Sequence, residues 1–376
     1  MSVDMHKLPK AGHVAAIALL AGTIALPLQA SADEAAALPP PGLTFSGVLA
    51  GSLQNAKTTE GNLQLDMLLG LPVGPGSLHM EVKAGTSPLT DSVSANFPEA
   101  AGLVGEIVDA SGKGTAAITQ FYYELSPSFG TVDAGLIFSP AYLDKNDIAD
   151  DEYGQFMGAA FVNNPTIPLP VYALGVAATG AVSSTIGYTL FASSTADLQG
   201  GTYAGLLESN GHGAFVAGEM NWKAAGLSGN VGLWQNSDAA FTNFTTGLRE
   251  TDYGDYGNLN GTLGSEALQW NMRLGFANPR VSQAASFVAG TIAYRSTLPI
   301  GESPKPVTYG LGVSYTHASR YMPAPKADMQ QMEVYARVEM TEKTSITADM
   351  QYLNHSQFDP ASTSQWVEGL RISMAF

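Results

Sequence analysis

In segment after segment the chain alternates apolar and polar residues with a period of two. Leu63, Leu65, Met67 and Leu69 alternate with Gln64 and Asp66. Leu78, Met80, Val82 and Ala84 alternate with His79, Glu81 and Lys83. Leu268, Trp270, Met272, Leu274 and Phe276 face Gln269, Asn271, Arg273 and Gly275 across the pleat. The pattern recurs in Tyr309–Tyr315 and Ile346–Tyr352. It also closes the chain, where Leu370, Ile372, Met374 and Phe376 alternate with Gly369, Arg371, Ser373 and Ala375. Side chains of a strand point alternately to opposite faces, so each segment has one apolar and one polar face. A soluble sandwich alternates too. Here the runs reach about ten residues, beyond the usual five or six. Trp270, Tyr309 and Tyr352 stand near the ends of the apolar rows, as interfacial girdles do. A bilayer excludes open sheet edges, so such strands must close into a barrel.

Fifteen segments carry the pattern clearly: 42–52, 62–69, 77–86, 115–125, 131–138, 171–179, 183–193, 213–223, 227–235, 264–277, 284–295, 306–316, 329–340, 344–354 and 364–376. Bacterial single-chain barrels have an even strand number, short periplasmic turns and longer outer loops. Counted back from the last strand, the long 236–263 connection falls on the wrong side. A weakly patterned strand near Asp252–Leu259 restores parity and gives sixteen. The tight turns Pro72–Gly76, Ser126–Gly130, Ala224–Gly226 and Thr341–Lys343 then share one end. The connections 87–114, 139–170 and 194–212 share the other. The expected fold is all-β, a transmembrane antiparallel barrel of sixteen strands over 42–376, with long outer loops folding inward.

Composition removes other classes. The chain has 376 residues, no cysteine, 17 Lys+Arg against 33 Asp+Glu, and a net charge of −16. Disulfides and thiolate chemistry are excluded, and the charge has the wrong sign for a nucleic-acid partner. Charged residues are 13 %, about half the usual ~25 %, yet mean hydropathy is only +0.05, too low for a helical membrane bundle. Lys7 and Lys10, the apolar run Val14–Ala30 and the small residues Ala30-Ser31-Ala32 follow the order of a secretory signal peptide. Residues 1–32 are therefore expected to be removed, and 33–41 to form a flexible lead-in.

The stretch Gln120–Asn164 holds Phe121-Tyr122-Tyr123-Glu124, Val132-Asp133-Ala134-Gly135, Asp150-Asp151-Glu152, Gln155-Phe156 and Phe161-Val162-Asn163-Asn164-Pro165. Near the C-terminus stand Glu333-Val334-Tyr335, Ile346–Tyr352, Gly369-Leu370-Arg371 and a terminal Phe. Leu65-Asp66 through Gly74–His79 fits an early hairpin. These stretches resemble the carbohydrate-selective outer-membrane porin family (OprB-type). The resemblance implies a channel for small solutes, sugars foremost, in the outer membrane of a Gram-negative bacterium. It also implies that the loop bearing Asp144, Asp147, Asp150, Asp151 and Glu152 helps constrict the pore. Such carboxylates would raise local cation concentration and accept hydrogen bonds from sugar hydroxyls.

The polar strand faces supply the remaining candidates for the pore lining: Asp66, His79, Glu81, Lys83, Gln120, Glu124, Arg273, Glu333, Arg337, Asp349, Gln351 and Arg371. Buried in a closed core they would be very costly, whereas a water-filled lumen accepts them. Trp270, Leu274, Met350 and Met374 are expected to touch lipid, and Arg273, Asp349 and Arg371 to face water. A sugar site would draw hydrogen bonds from Glu124, Arg337 or Gln351 and a ring face from Tyr122 or Tyr335. Phe376, after Ile372 and Met374, reads as the signal for the barrel-assembly machinery. The acidic run lacks the glycine and closing glutamate of an EF-hand, so no metal is expected. No His-x-x-x-His, Gly-x-Ser-x-Gly or phosphate-loop pattern occurs. His79, His212, His317 and His355 fall on lumen faces or in loops, away from the lipid-face Ser/His arrangement of barrel phospholipases. No cofactor and no enzyme activity are expected. The expected partners are sugars or ions, lipid, and further copies of the chain. Two rival readings stand beside the sugar channel: a general ion or nutrient porin, and a barrel whose loops plug it for a structural or surface-binding role.

Overall fold

A computed structural model describes residues 42–376 apart from 104–106, 110, 199–202, 208–211 and 302. The signal peptide and lead-in expected over 1–41 lie outside the described residues. Sixteen antiparallel strands close on themselves, each paired with its sequence neighbour and the last with the first. They are β1 (Thr44–Asn55), β2 (Thr59–Val73), β3 (Gly76–Gly85), β4 (Ala116–Leu125), β5 (Thr131–Phe138), β6 (Tyr172–Ala181), β7 (Ile186–Asp197) and β8 (Ala214–Ala224). Then follow β9 (Leu227–Asn236), β10 (Asp252–Leu263), β11 (Ser265–Ala277), β12 (Ala284–Ile300), β13 (Ser303–Ala318), β14 (Met329–Glu339), β15 (Thr344–Leu353) and β16 (Gln365–Ala375). Among the described residues no helix is long and apolar enough to cross a membrane.

The weakly patterned sixteenth strand is β10, which pairs with β9 on one side and β11 on the other. The connections sort as expected: tight turns at one end, long loops at the other. Several strands run longer than the alternation indicates. β2 begins at Thr59 and β12 and β13 extend to Ile300 and Ser303, because a strand that projects beyond the apolar band has no reason to keep an apolar row. Between β8 and β9 the chain reverses in two residues. Ala225 (φ 52) and Gly226 (φ 79) both take positive φ, the hand that matches strand twist in a two-residue hairpin.

The faces follow the alternation. Leu190, Met220, Val231, Leu233, Leu311 and Val313 are exposed on the outside of the barrel. Tyr352 packs on Trp366 at the loop end, with ring centroids 5.1 Å apart. His317 corrects an expectation: it lies on the outward face in the row of Tyr309, Leu311, Val313 and Tyr315. There it meets Asp328 of the next loop at 2.9 Å. The alternation at Tyr309–Tyr315 continues two residues further than the sequence boundary suggests, and carries the histidine with it.

The seam between β1 and β16 is closed by the last residue. The Phe376 N–H donates to Gly47 O at 3.0 Å and the Gly47 N–H to Phe376 O at 3.3 Å. The Phe376 ring lies 5.6 Å from that of Phe45. Deleting Phe376 is expected to lower the yield of assembled barrel several-fold while leaving synthesis unchanged. Heat-modifiable mobility in gels measures this, and an unaltered folded fraction would remove any role for the residue in closure.

Candidate functional site

Two loops at the loop end fold into the barrel, and they occupy the space in which a core would sit. Loop 3 (139–171) crosses the lumen between opposite walls. On one side Leu143 and Ile167 pack with Ile137, Phe191, Phe215, Trp234 and Tyr256 from β5 to β10. On the other, Phe156 and Phe161 pack with Phe287 and Tyr335 from β12 and β14. The walls are cut to receive the loop. A Cβ on Gly312 would come within 2.7 Å of Phe161, and one on Gly275 would collide with Thr166.

Charged wall residues grip the loop backbone. Arg273 of β11 is almost fully buried. It reaches Asp144 Oδ2 at 3.1 Å and donates to Phe161 O at 2.8 Å, Asp144 O at 3.0 Å and Ala149 O at 3.3 Å. Arg371 of β16 donates to the carbonyls of Glu152 and Gln155. Glu333 of β14 accepts the N–H groups of Met157 and Gly158, both at 2.7 Å. Glu219 of β8 accepts the Asp144 N–H and the Tyr256 hydroxyl, each at 2.8 Å. The Tyr153 hydroxyl donates to Asp66 Oδ2 at 2.7 Å. Asp66 also holds Lys83 at 3.2 Å, and the Lys83 ammonium stands 5.5–5.9 Å from the rings of Phe138, Tyr172 and Tyr153.

This corrects the expectation that Arg273, Asp349 and Arg371 face water. All three point inward but are buried, because loops 2 and 3 lie on them. Asp66, Glu81, Lys83 and Gln351 are buried likewise. Glu81 accepts Thr119 and Gln120 side chains. Gln351 donates to Ala100 O of loop 2 (86–115) and to Asp349. Loop 2 packs its Val93, Phe97 and Ala100 on Leu353 and Val367, and Glu60 accepts the Leu89 and Ser94 N–H groups at its start. The two aromatic faces expected for a sugar are covered. Tyr122 is stacked by His79 at 4.9 Å, and Phe156 meets Tyr335 edge-on at 5.0 Å.

The acidic run of loop 3 is dispersed rather than gathered. Asp144 turns to Arg273, Asp150 to Lys145, and Asp151 accepts the Tyr153 N–H at 2.8 Å. Burial pushes the Asp144 carboxyl up to about 7, against the pull of Arg273. Burial also raises Asp150, opposed by Lys145. Among the described residues no group of three or more acidic or histidine side chains is placed to hold a metal ion.

Polar spaces remain on both sides of the loop. Toward the loop end a cavity of about 230 Å3 is lined by Lys145, Asp150 and Glu152 together with Pro98, Phe138 and Asn163. Toward the turn end, cavities of about 350 Å3 and 210 Å3 share Arg337, Glu339 and Gly154. Asp147 lines the first and Asp151 the second. Glu124 stands apart on β4, 3.7 Å from His79. Of the expected lining residues, Arg337 and the carboxylates of 147–152 border open space, Asp66, Arg273, Glu333, Gln351 and Arg371 hold the loops, and His79, Glu81, Gln120 and Glu124 bond within the strand wall. Arg295, Glu339 and Lys145 also border it and were missed. Arg295 and Glu339 lie outside the strongest alternation, and Lys145 stands among five acids.

The fold resembles porin structures. Pseudomonas putida OprB, in a high-pH structure, superposes with a TM-score of 0.69 at 14% identity, over 89% of this chain and 94% of that one. A variant of the Rh. blastica porin gives 0.55 at 11% identity, over 89% and 100%. OmpT, an outer membrane protein of Vibrio cholerae, in a loop-deleted form, gives 0.54 at 13% identity, over 89% and 99%. An uncharacterized protein of Aquifex aeolicus is 31% identical over 81 residues, which are 22% of this chain and 26% of that protein. No protein-family model matches the chain. The chain thus has a porin-like, closed sixteen-stranded barrel.

Proposed function

We propose that this barrel is an outer-membrane channel for passive diffusion of small solutes, with carbohydrates the preferred class, and that it catalyses no reaction. The observation that carries the reading is the lumen: a loop held across it, with polar, charge-lined space on either side. A purely structural barrel gains nothing from charged side chains around such spaces, since each must keep its hydration. The outward apolar wall supports contact with lipid, and the expected signal peptide supports export to the envelope. The likeness in fold to OprB and the other porins supports the channel, while the sugar preference rests on the sequence resemblance. Recognition by the assembly machinery and association with further copies of the chain belong to the same proposal.

The electrostatics give a test. Asp147, Asp151 and Glu152 border the space beside the loop in a chain of charge −16. Low-dielectric walls focus such a field and enrich counter-ions. The channel is expected to prefer cations, modestly because Arg295 and Arg337 stand opposite. Screening over ~10 Å at 0.1 M salt should weaken the preference as salt rises. Reversal potentials in a salt gradient measure it, with Asp150, Asp151 and Glu152 neutralised for comparison. Anion selectivity that survives the triple substitution would sink this account. The density of contacts around loops 2 and 3 favours the second reading, a plugged barrel, and a complete lack of conductance would establish it.

A further inference from the structure

The outward face of β12 and β13 changes character at the loop end. Its apolar row runs through Leu311, Val313 and Val288 to Tyr315, all exposed on the outside. An aromatic ring at the end of such a row marks the interface between lipid and water. His317 is the next outward residue of β13, ~7 Å further along the strand. Beyond it lie the connections 278–283 and 319–328, which carry Arg280, Arg320 and Lys326 against a single carboxylate, Asp328, in a chain of charge −16. Asp328 is occupied locally: it accepts the Tyr315 hydroxyl and the Ala318 N–H and pairs with His317. Lys326 donates to Met322 O at 3.0 Å. The two arginines are exposed, and among the described residues neither forms an ion pair. The backbone sets them side by side. Ser319 donates through its N–H to Gln283 O at 2.7 Å and through its hydroxyl to Pro279 O. Arg320 and Arg280 directly follow the two members of that second bond. The Arg320 guanidinium lies 4.8 Å from the centre of the Tyr321 ring and donates to its hydroxyl at 2.9 Å. Arg320 foremost, and Arg280 after it, hold that hydroxyl below the usual phenol range, so both guanidinium groups act on one point. The carboxylate that feels Arg280, Glu250, already accepts the amides of Asn243 and Asn278 at 2.6 and 3.1 Å.

We propose that Arg280 and Arg320 bind the headgroup phosphate of an outer-leaflet lipid whose acyl chains lie along the apolar row below them. The proposal rests on the membrane-barrel part of the reading above and not on conduction. The planar fork of a guanidinium donates two parallel hydrogen bonds to phosphate oxygens. Arg320 has its plane fixed by the Tyr321 ring, and among the described residues only the Tyr321 hydroxyl takes a hydrogen bond from it. The row of Tyr315, Val313, Leu311 and Val288 gives the apolar half of an amphiphile its contact. A free phosphate meets the arginines and gains nothing from the row. A neutral lipid covers the row and gains nothing from the arginines. An anionic lipid engages both at once.

Native mass spectrometry of the barrel in non-ionic detergent, titrated with lipid A, tests the site. Folding of each protein is verified by heat-modifiable mobility. Arg280→Gln and Arg320→Gln are each expected to raise the half-saturating lipid concentration about tenfold, the loss of a charged hydrogen bond, and the double variant about a hundredfold. Lys57→Gln, on the β1–β2 turn at the same end of the barrel, should change nothing. Lipid A stripped of its phosphates keeps the same acyl chains and should bind wild type about as weakly as intact lipid A binds the double variant. Inorganic phosphate in excess should not displace the lipid. Unchanged affinity in the double variant would overturn the proposal, as would equal binding of the stripped lipid. A loss in Lys57→Gln matching that of the arginine variants would mean a diffuse attraction of charge and no site. Displacement by inorganic phosphate would make this a free-anion site and overturn the lipid assignment. A wild-type barrel that inserts into phosphatidylcholine vesicles but binds no lipid A would overturn the site and leave the membrane barrel standing. A chain that inserts into no vesicle would overturn both.

Discussion

Replacing Arg273 by alanine is expected to free the middle of loop 3 and to produce larger, noisier single-channel currents. Arg273 holds the loop at three separated points, Asp144, Ala149 and Phe161. Its removal leaves the buried Asp144 carboxylate without its cation and the Phe161 carbonyl without this donor, while Asp144 O and Ala149 O keep Asn258 and Asn146. Losing one partner of a buried ion pair costs about 3–5 kcal/mol, most of it the penalty on the group left behind. The penalty is relieved by the loop lifting off the wall toward water or by Asp144 taking up a proton. Arg371→Ala should have an effect of the same kind, because it frees the carbonyls of Glu152 and Gln155. Glu333→Gln isolates the charge term: the amide keeps one acceptor oxygen for the Met157 and Gly158 N–H groups, which now share the carboxylate. Current noise and the temperature of barrel unfolding are the two readouts. If Arg273→Ala left both at wild-type values, loop 3 would be held by its apolar clusters alone.

The same loop explains what could and could not be read from sequence. Alternation is clean wherever the inner wall meets polar loop backbone or open space, as in β2, β3, β11, β15 and β16. It fades from β5 to β10, where Ile137, Phe191, Phe215, Trp234 and Tyr256 point inward to pack on Leu143 and Ile167. Where apolar side chains stand on the inner face as well as the outer, the period-two contrast weakens although the strands are regular. In β10 the cause is different: Tyr253, Asp255, Gly257 and Leu259 alternate with Gly254, Tyr256, Asn258 and Asn260, so neither face is consistently apolar and only parity indicates the strand. Candidate residues suffered the converse problem. Alternation places Arg273, Asp349 and Arg371 on the inner face correctly, but it carries no information on what covers them. Only the return of a segment more than a hundred residues away in sequence separates a lining arginine from one that clamps a loop. Glu219 shows the limit: it sits between Ala217 and Asn221 on the inner face of β8, and nothing nearby in sequence marks it as the acceptor for the Asp144 N–H.

A charge on the outer face measures the register directly. Met272 lies near the middle of β11 and is 46% exposed on the outside. Gln269, three residues earlier, points inward and lines a further cavity, of about 170 Å3, beside Lys223 and Asp147. Met272→Lys and Gln269→Lys therefore place the same ammonium on opposite faces of one strand. Near the bilayer midplane the lipid-facing lysine costs roughly 2–4 kcal/mol, whereas the inward one keeps its hydration, with Asp147 and Lys223 bordering the same space. Met272→Lys is expected to cut the folded fraction in lipid vesicles sharply and to shift urea unfolding to lower concentration. Gln269→Lys should stay near wild type in both. The contrast has a sharp geometric meaning, because sliding a strand by one residue exchanges its two faces entirely. It also separates the membrane barrel from a soluble one of identical topology. In water the exposed Met272 gains from becoming lysine, and the order of the two variants would invert. Equal stability of the pair would mean that neither face meets lipid, and the outward apolar rows would need another partner.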